Sequence, residues 1–117
     1  MNRNQEMKKC IEDCRECHDV CQETLTHCLE QGGRHAESSH VTTLLACAEI
    51  CATSANFMTW QIDLHPQVCG VCAEMCERCA ASCDGIGDDE TMRRCAEVCR
   101  RCAQSCESMA GAAAASH

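Results

Sequence analysis

The chain has few of the large apolar side chains from which protein cores are usually built. Its 117 residues include one Phe, one Trp and no Tyr, and Leu, Ile, Val and Phe together number only 15. A soluble chain so poor in large aliphatic residues would normally stay disordered. Cys and Ala, however, supply 31 of the 53 apolar residues. The chain can therefore fold only if cysteines, which pack as small hydrophobic side chains, form the core. Such an interior is thin, and we expect something other than side chains to fill it.

Basic residues and long apolar runs are also scarce. Ten Lys and Arg stand against 18 Asp and Glu, for a net charge of −8, which argues against a nucleic-acid or anionic-membrane partner. No apolar run approaches the roughly 20 residues of a membrane-spanning helix. The polar start, MNRNQEMKKC, shows neither an apolar stretch nor twin arginines, so we expect a cytoplasmic protein without an export signal. Cytoplasmic thiols stay reduced, which favours metal binding over disulfides.

Four segments show helical periodicity, and none shows the alternation of a β-strand. The expected helices cover approximately 4–31, 38–63, 66–83 and 88–109, and the tail 110–117 is expected to fray. Gly32-Gly33, Pro66 and an Asp88 or Asp89 cap mark their ends. Short connections predict an all-α, antiparallel up-down-up-down four-helix bundle that forms one domain, 1–117. The third and fourth segments contain a matching pair, CAEMCERC and CAEVCRRC, which indicates a structural repeat.

The cysteines recur at steps of three, four and seven residues, the spacing of an inward-facing stripe in a helical bundle. On the second helix only two cysteines occur, and Ser54, Ala55 and Met58 follow on the same face. All the cysteines fall on this stripe and are the candidate metal ligands: Cys10, Cys14, Cys17, Cys21, Cys28, Cys47, Cys51, Cys69, Cys72, Cys76, Cys79, Cys83, Cys95, Cys99, Cys102 and Cys106.

Residues three or four apart on a helix lie side by side, so two inward thiolates can hold one ion between them. Cu(I) prefers soft sulfur ligands and few of them, and shared thiolates would allow about one Cu(I) per thiolate. Each Cu(I) also cancels one thiolate charge, which lets a filled core approach neutrality. Zn(II) needs closed sites of four ligands, and a continuous stripe is expected to give few isolated tetrahedra. Two alternatives remain: a thiol-rich Zn or Cd buffer, and a disulfide-linked redox or structural protein.

The segments CIEDCRECHDVC and CAEMCERCAASC each form a ladder, by which we mean cysteines repeated every three or four residues. These ladders resemble those of the bacterial copper storage proteins, a cysteine-rich four-helix-bundle family. The resemblance covers about residues 7–109. It implies a cytosolic, non-enzymatic protein, usually a homotetramer, that stores many Cu(I) ions on its sixteen inward cysteines for copper homeostasis and detoxification.

The resemblance also implies that His or Met residues at one end of the bundle admit the metal. The candidates for metal uptake are Met7, Met58, Met109, His40 and His65. A second apolar stripe of Phe57, Trp60 and Leu64, expected on the second helix, is the candidate contact between subunits.

Overall fold

The computed structural model describes residues 2–115 of the chain, and side chains for residues 2–111. Within 2–115 there are four α-helices, one short 3-10 helix and no β-strand. The helices are α1 (Arg3–Gln31), α2 (Ser38–Thr59), α3 (His65–Ile86) and α4 (Glu90–Ala115), with the 3-10 helix (Gly33–Ala36) between α1 and α2. Short connections make successive helices antiparallel, and α1 and α4 also pack together to close the ring. The predicted up-down-up-down bundle is confirmed, as a rod of 46 × 21 × 20 Å.

The first helix begins and ends at residues that satisfy its free backbone groups. At its start the backbone N–H of Gln5 donates to Asn2 Oδ1 (2.8 Å), and the backbone N–H of Asn2 donates to Gln5 Oε1 (3.1 Å). This reciprocal pair is a capping box. At its end Gly32 and Gly33 both adopt positive φ, 70° and 56°, which glycine does without a steric penalty. The two glycines therefore end α1 where the sequence predicted.

The second helix ends four residues before the predicted position. Gln61 takes a left-handed conformation with φ 57°. The Gln61 N–H donates to the Met58 carbonyl (3.1 Å), and the Ile62 N–H donates to the Phe57 carbonyl (3.0 Å). These two bonds form the Schellman motif that commonly closes a helix, usually with glycine in the left-handed position. Because glutamine occupies that position here, the sequence carried no signal for the helix end.

This early end divides the apolar stripe that was expected on one helix. Phe57 lies within α2, whereas Trp60 and Leu64 lie in the connection between α2 and α3. Trp60 is 64% exposed and Leu64 is 56% exposed. The expectation of a continuous helical stripe is therefore wrong, although two of its three residues remain on the surface.

The third and fourth helices are longer than predicted. Pro66 lies in the first turn of α3, where proline is tolerated, and the helix continues to Ile86. The cap of α4 is Asp89, whose Oδ1 accepts the Met92 N–H at 2.8 Å. The helix continues through residues 110–115, which we expected to fray, because Ala112 to Ala115 have the highest helix propensity. Residues 116–117 of the predicted tail lie outside the described residues.

The second helix has no unbroken apolar run of about 20 residues, as expected, but its length and mean composition approach those of a membrane-spanning helix. An 18-residue window within α2 reaches a mean hydropathy of 1.3, so the helix could cross a membrane by length and composition alone. The core helix of a soluble bundle passes the same test. Its inward face, which includes Leu44, Cys47, Cys51 and Met58, is buried against the rest of the bundle.

Small side chains allow α3 and α4 to pack closely. Ala73 and Ala80 on α3, and Ala96 and Ala103 on α4, are buried and lie seven residues apart within each helix. These alanines occupy equivalent positions in the two copies of the repeated sequence. Among residues 2–111 the large apolar side chains that are fully buried are few: Leu44, Met58, Met92 and Met109. Sulfur-containing side chains therefore make up most of the interior.

Two neighbouring leucines test how much this thin core depends on one aliphatic side chain. Leu44 is fully buried, whereas the adjacent Leu45 is 48% exposed. We expect Leu44→Ala to lower the free energy of unfolding of the metal-free chain by about 2–5 kcal/mol. Leu45→Ala should change it by less than about 0.5 kcal/mol. Urea unfolding followed by circular dichroism measures both, and equal effects would show that Leu44 is not part of the core.

Candidate metal centre

All sixteen cysteines lie inside the bundle, with 0% of each residue exposed and with free thiols. The steps of three and four residues place them on one face of each helix, and the four faces meet along the bundle axis. We call this enclosed column of sulfur atoms the lumen. The sequence predicted this inward orientation, and its members lie on α1 (Cys10, Cys14, Cys17, Cys21, Cys28), α2 (Cys47, Cys51), α3 (Cys69, Cys72, Cys76, Cys79, Cys83) and α4 (Cys95, Cys99, Cys102, Cys106).

The sulfur atoms of different helices are close enough to share ions. Cys14 and Cys106 have Sγ atoms 3.5 Å apart, and the Cys51–Cys76 distance is 3.6 Å. Sulfur atoms bound to one ion at about 2.3 Å are about 3.8 Å apart in a tetrahedron and about 4.0 Å apart in a trigonal plane. Two sulfur atoms bound on opposite sides of an ion, in linear coordination, are about 4.6 Å apart. The lumen is therefore spaced for three- or four-fold coordination before any metal binds.

Cysteines within one helix turn have a similar separation. The Sγ atoms of Cys17 and Cys21, and those of Cys72 and Cys76, are 4.0 Å apart. A linear ion between either pair requires the two side chains to open by about 0.6 Å. Such a pair can instead contribute two ligands to a site that a neighbouring helix completes.

Cross-helix packing gathers the thiols into groups of four whose ligand atoms all lie within 4.8 Å of one another. The groups overlap, as expected for shared ligands. Three of them, however, have no cysteine in common: Cys14, Cys72, Cys102 and Cys106; Cys17, Cys47, Cys51 and Cys76; Cys21, Cys79, Cys95 and Cys99. The overlap agrees with the expectation that a continuous stripe gives many shared ligands, while these three sets could each supply four ligands to a separate ion. Spacing along a helix carries no information on which thiols of different helices meet.

The thiols of the lumen influence one another's protonation. The hydrogen bond with Cys106, together with one from Cys14 and with burial, raises the pKa of Cys10 above its ordinary value. The same contact with Cys10 lowers the pKa of Cys106, because the proton held on Cys10 stabilises a thiolate there. At the far end burial raises the pKa of Cys28 to about 11, and the negative charge of Asp89 adds to the effect. A metal must therefore displace protons from thiols such as Cys10 and Cys28.

Hydroxyl groups replace thiols at two inward positions. Ser54 on α2 is fully buried, and its Oγ lies 3.4 Å from Cys69 Sγ. Thr24 on α1 is also buried, and it lies in the seven-residue gap between Cys21 and Cys28. Sequence reasoning missed Thr24, although that gap was a signal of an inward residue other than cysteine.

The candidate uptake residues divide between the two ends of the lumen. His40 is buried at the Cys28 end, where its Nε2 lies 3.4 Å from Cys28 Sγ and its Nδ1 lies 2.7 Å from Ser82 Oγ. Burial lowers the pKa of His40, so its imidazole is neutral at physiological pH.

The other four candidates lie at the opposite end, where α1 and α3 begin. Met58 and Met109 are fully buried, and the partly buried Met7 packs against the same core. His65 is buried, and its Nδ1 has no hydrogen-bond partner among the described residues. Burial, with a contribution from the charge of Arg3, lowers the pKa of His65. This end therefore offers thioether sulfur and a neutral imidazole nitrogen.

Comparison with known proteins agrees with this geometry. The family model described as copper storage protein matches residues 3–111. A crystal structure of a protein from Nitrosospira multiformis is 43% identical with a TM-score of 0.88, and the match covers 93% of this chain and 98% of that one. The Cu(I)-bound copper storage protein of Bacillus subtilis is 34% identical with a TM-score of 0.83, covering 90% of this chain and 98% of that one.

A third solved structure is a cytosolic copper storage protein from Streptomyces lividans with five coppers. It is 27% identical with a TM-score of 0.77, and the match covers 92% of this chain and 93% of that one. The family model spans nearly the whole chain, and the cysteine ladder lies within the matched residues. The chain belongs to the copper storage protein family.

Proposed function

We propose that this protein binds and stores many Cu(I) ions on the thiolates of its lumen. The observation that carries the proposal is the complete burial of sixteen free thiols in one column, with sulfur–sulfur distances of 3.5–4.0 Å. Cu(I) prefers soft thiolate ligands over the oxygen and nitrogen ligands that suit harder ions. The Bacillus subtilis relative is described as Cu(I)-bound, and the Streptomyces lividans relative holds five coppers. All sixteen cysteines are the proposed ligands.

Charge is the physical reason why Cu(I) suits this lumen. Buried charge is costly unless it is compensated. Among the described side chains the buried polar residues are Thr24, His40, Ser54 and His65, so no lysine or arginine neutralises a thiolate there. One Cu(I) for each thiolate leaves the column neutral, and bridging sulfur atoms make that ratio possible. The expected load is therefore about 16 Cu(I) per chain.

A specific observation also favours a second candidate function, a Zn(II) or Cd(II) buffer. Three sets of four thiols share no cysteine, and each set has the ligand number of a structural zinc site. One divalent ion with four thiolates, however, carries a net charge of about −2. Three such sites would lie in one column with no buried lysine or arginine to neutralise them. The number of neighbouring thiols therefore suits divalent ions, but the uncompensated negative charge makes their binding less favourable than that of Cu(I).

We propose that copper enters through the soft ligands at the ends of the lumen. Thioether and imidazole groups bind Cu(I) more loosely than thiolate does, which suits transient sites. The unpartnered Nδ1 of His65 and the nearby Met7, Met58 and Met109 support this role at one end. The contact between His40 and Cys28 supports it at the other.

We further propose that the chain acts in the cytoplasm as one bundle domain, by binding and without catalytic turnover. The Streptomyces lividans relative is described as cytosolic. The net charge of −8 disfavours nucleic-acid and anionic-membrane partners. A homotetramer is the assembly implied by the family resemblance, and the exposed Trp60 and Leu64 offer an apolar contact for it.

Parallel anaerobic titrations test the storage function. We expect the reduced chain to take up about 16 Cu(I) in competition with a Cu(I) chelator, but no more than about three Zn(II) under equivalent competition. Binding of only two or three Cu(I), or tighter retention of Zn(II), would reject copper storage. A thiol assay on protein purified without reductant tests the alternative of a disulfide-linked protein, because that alternative predicts few free thiols.

Two inward positions of α2 provide matched variants for the titration. Cys51 contacts the sulfur atoms of Cys76 and Cys102, at 3.6 and 3.9 Å, so Cys51→Ser should lower the load by about one Cu(I) or more. Ser54→Cys places a thiol beside Cys69 and should raise the load by about one. Unchanged loads in both variants would show that the ions do not lie in the lumen.

A further inference from the structure

Two histidines and one aspartate converge outside the lumen, near the end that contains Cys28. His35 Nε2 lies 2.8 Å from Asp89 Oδ2, and His27 Nε2 lies 3.4 Å from the same oxygen. The two imidazole rings are 5.7 Å apart and nearly perpendicular. The three residues come from α1, from the 3-10 helix and from the cap of α4. Three potential ligand atoms thus meet from three separate elements.

The separations suit a small metal ion. Ligand atoms bound at about 2.0–2.1 Å in a tetrahedral site are about 3.4 Å apart. The distance from His27 Nε2 to Asp89 Oδ2 already has this value. The distance from His35 Nε2 to Asp89 Oδ2 must increase by about 0.6 Å. The other Asp89 oxygen accepts the Met92 N–H at 2.8 Å, which holds the carboxylate in place. Binding of an ion between His35 and Asp89 therefore requires the His35 imidazole to move back by about 0.6 Å.

We propose that His27, His35 and Asp89 form a binding site for a divalent transition-metal ion, separate from the copper lumen. Two imidazoles and a carboxylate are ligands that suit Zn(II), Co(II), Ni(II) or Cu(II), whereas Cu(I) prefers thiolate. The three side chains remain 26%, 20% and 38% exposed, so an ion can reach them from solvent and water can complete the coordination. The negative net charge of the chain adds a general attraction for cations.

A purely structural role is the alternative that the test must separate. The same three residues can hold the 3-10 helix against the start of α4 by hydrogen bonds alone. In that case substitutions would loosen this corner of the bundle without changing any metal stoichiometry. A metal site instead predicts a bound ion with nitrogen and oxygen ligands, and loss of that ion when any ligand is removed.

The experiment uses Co(II) as the probe on the Cu(I)-loaded chain, in which the thiols are occupied. We expect about one further equivalent of Co(II), with weak visible d–d bands and without the near-ultraviolet thiolate-to-cobalt charge transfer that lumen binding produces. His27→Gln, His35→Gln and Asp89→Asn should each weaken this binding by at least about tenfold. Asp89→Asn retains an oxygen for the Met92 N–H. The control is His18→Gln, because His18 contacts the Ala48 carbonyl away from the cluster.

Several outcomes would overturn the proposal. They are the absence of Co(II) binding at millimolar concentration, a spectrum dominated by thiolate charge transfer, and unchanged binding in His35→Gln. The proposal does not depend on copper storage. If the lumen does not load with Cu(I), excess Zn(II) on the reduced chain should still shift the Nε2 resonances of His27 and His35 in nitrogen-15 NMR, and unshifted resonances would reject the site.

Discussion

Loading the lumen with Cu(I) is expected to raise the midpoint of thermal unfolding by tens of degrees. Each ion that binds only the folded chain adds about 4 kcal/mol when its free concentration is a thousand times its Kd. A chain of this size gains roughly 4 °C for each kcal/mol, so even two or three such ions give a large shift. The effect should be large here because the metal-free core contains so few large aliphatic side chains.

Anaerobic thermal melts followed by circular dichroism at 222 nm measure this shift. The metal-free chain should be substantially helical at low temperature, because protonated cysteines pack as apolar groups. Removal of copper by excess Cu(I) chelator should return the midpoint to the metal-free value. As a matched comparison, Leu44→Ala should melt earlier than the unmodified chain when metal-free, but its copper-loaded form should still melt later than the unmodified metal-free chain. Coincident melts with and without copper would contradict binding inside the bundle.

The affinity for Cu(I) is expected to rise about tenfold for each pH unit and each thiol proton displaced. Below its pKa a thiol carries a proton that the metal must remove, so acid weakens binding and alkali strengthens it. An ordinary thiol no longer contributes to the pH dependence of Cu(I) affinity once the pH exceeds its pKa of about 8.5. Burial raises the pKa of Cys28 to about 11, so affinity at that end should continue to rise above pH 9.

Competition titrations between pH 6 and pH 10, corrected for protonation of the chelator, provide the measurement. Cys28→Ser is the informative variant, because it removes one thiol whose pKa is raised by burial and by the charge of Asp89, and it leaves the other fifteen thiols in place. We expect the dependence above pH 9 to be weaker in this variant than in the unmodified chain. A binding curve that is flat from pH 6 upward would mean that the ligands are not thiols that lose protons on binding.

Most of the fold and much of the candidate site could be predicted from the sequence. Steps of three and four residues place successive cysteines such as Cys95, Cys99 and Cys102 on one face of a helix, whatever that helix packs against. Four such faces can be hidden from water only by turning inward together. The bundle, the burial of the thiols and the preference for a soft metal therefore follow from local periodicity and composition.

Some helix ends could not be predicted, because the signals at those positions were unusual. Gln61 occupies a left-handed position that glycine normally takes, so nothing in the sequence indicated that α2 ends at Thr59. The alanines after Gly111 were expected to fray for lack of a packing partner, yet their helix propensity continues α4 to Ala115.

The sequence by itself determined that the inner surface of this protein is sulfur, because cysteine spacing within one helix settles which way each side chain faces. Only the tertiary structure decided which sulfur atoms become neighbours. Cys14 and Cys102 are 88 residues apart, yet their Sγ atoms are 3.7 Å apart. The same holds for His27, His35 and Asp89, which share no motif and meet where the last turns of α1, the 3-10 helix and the start of α4 lie together. Distances between helices depend on their rotation and axial register, and these are set by packing all four helices at once.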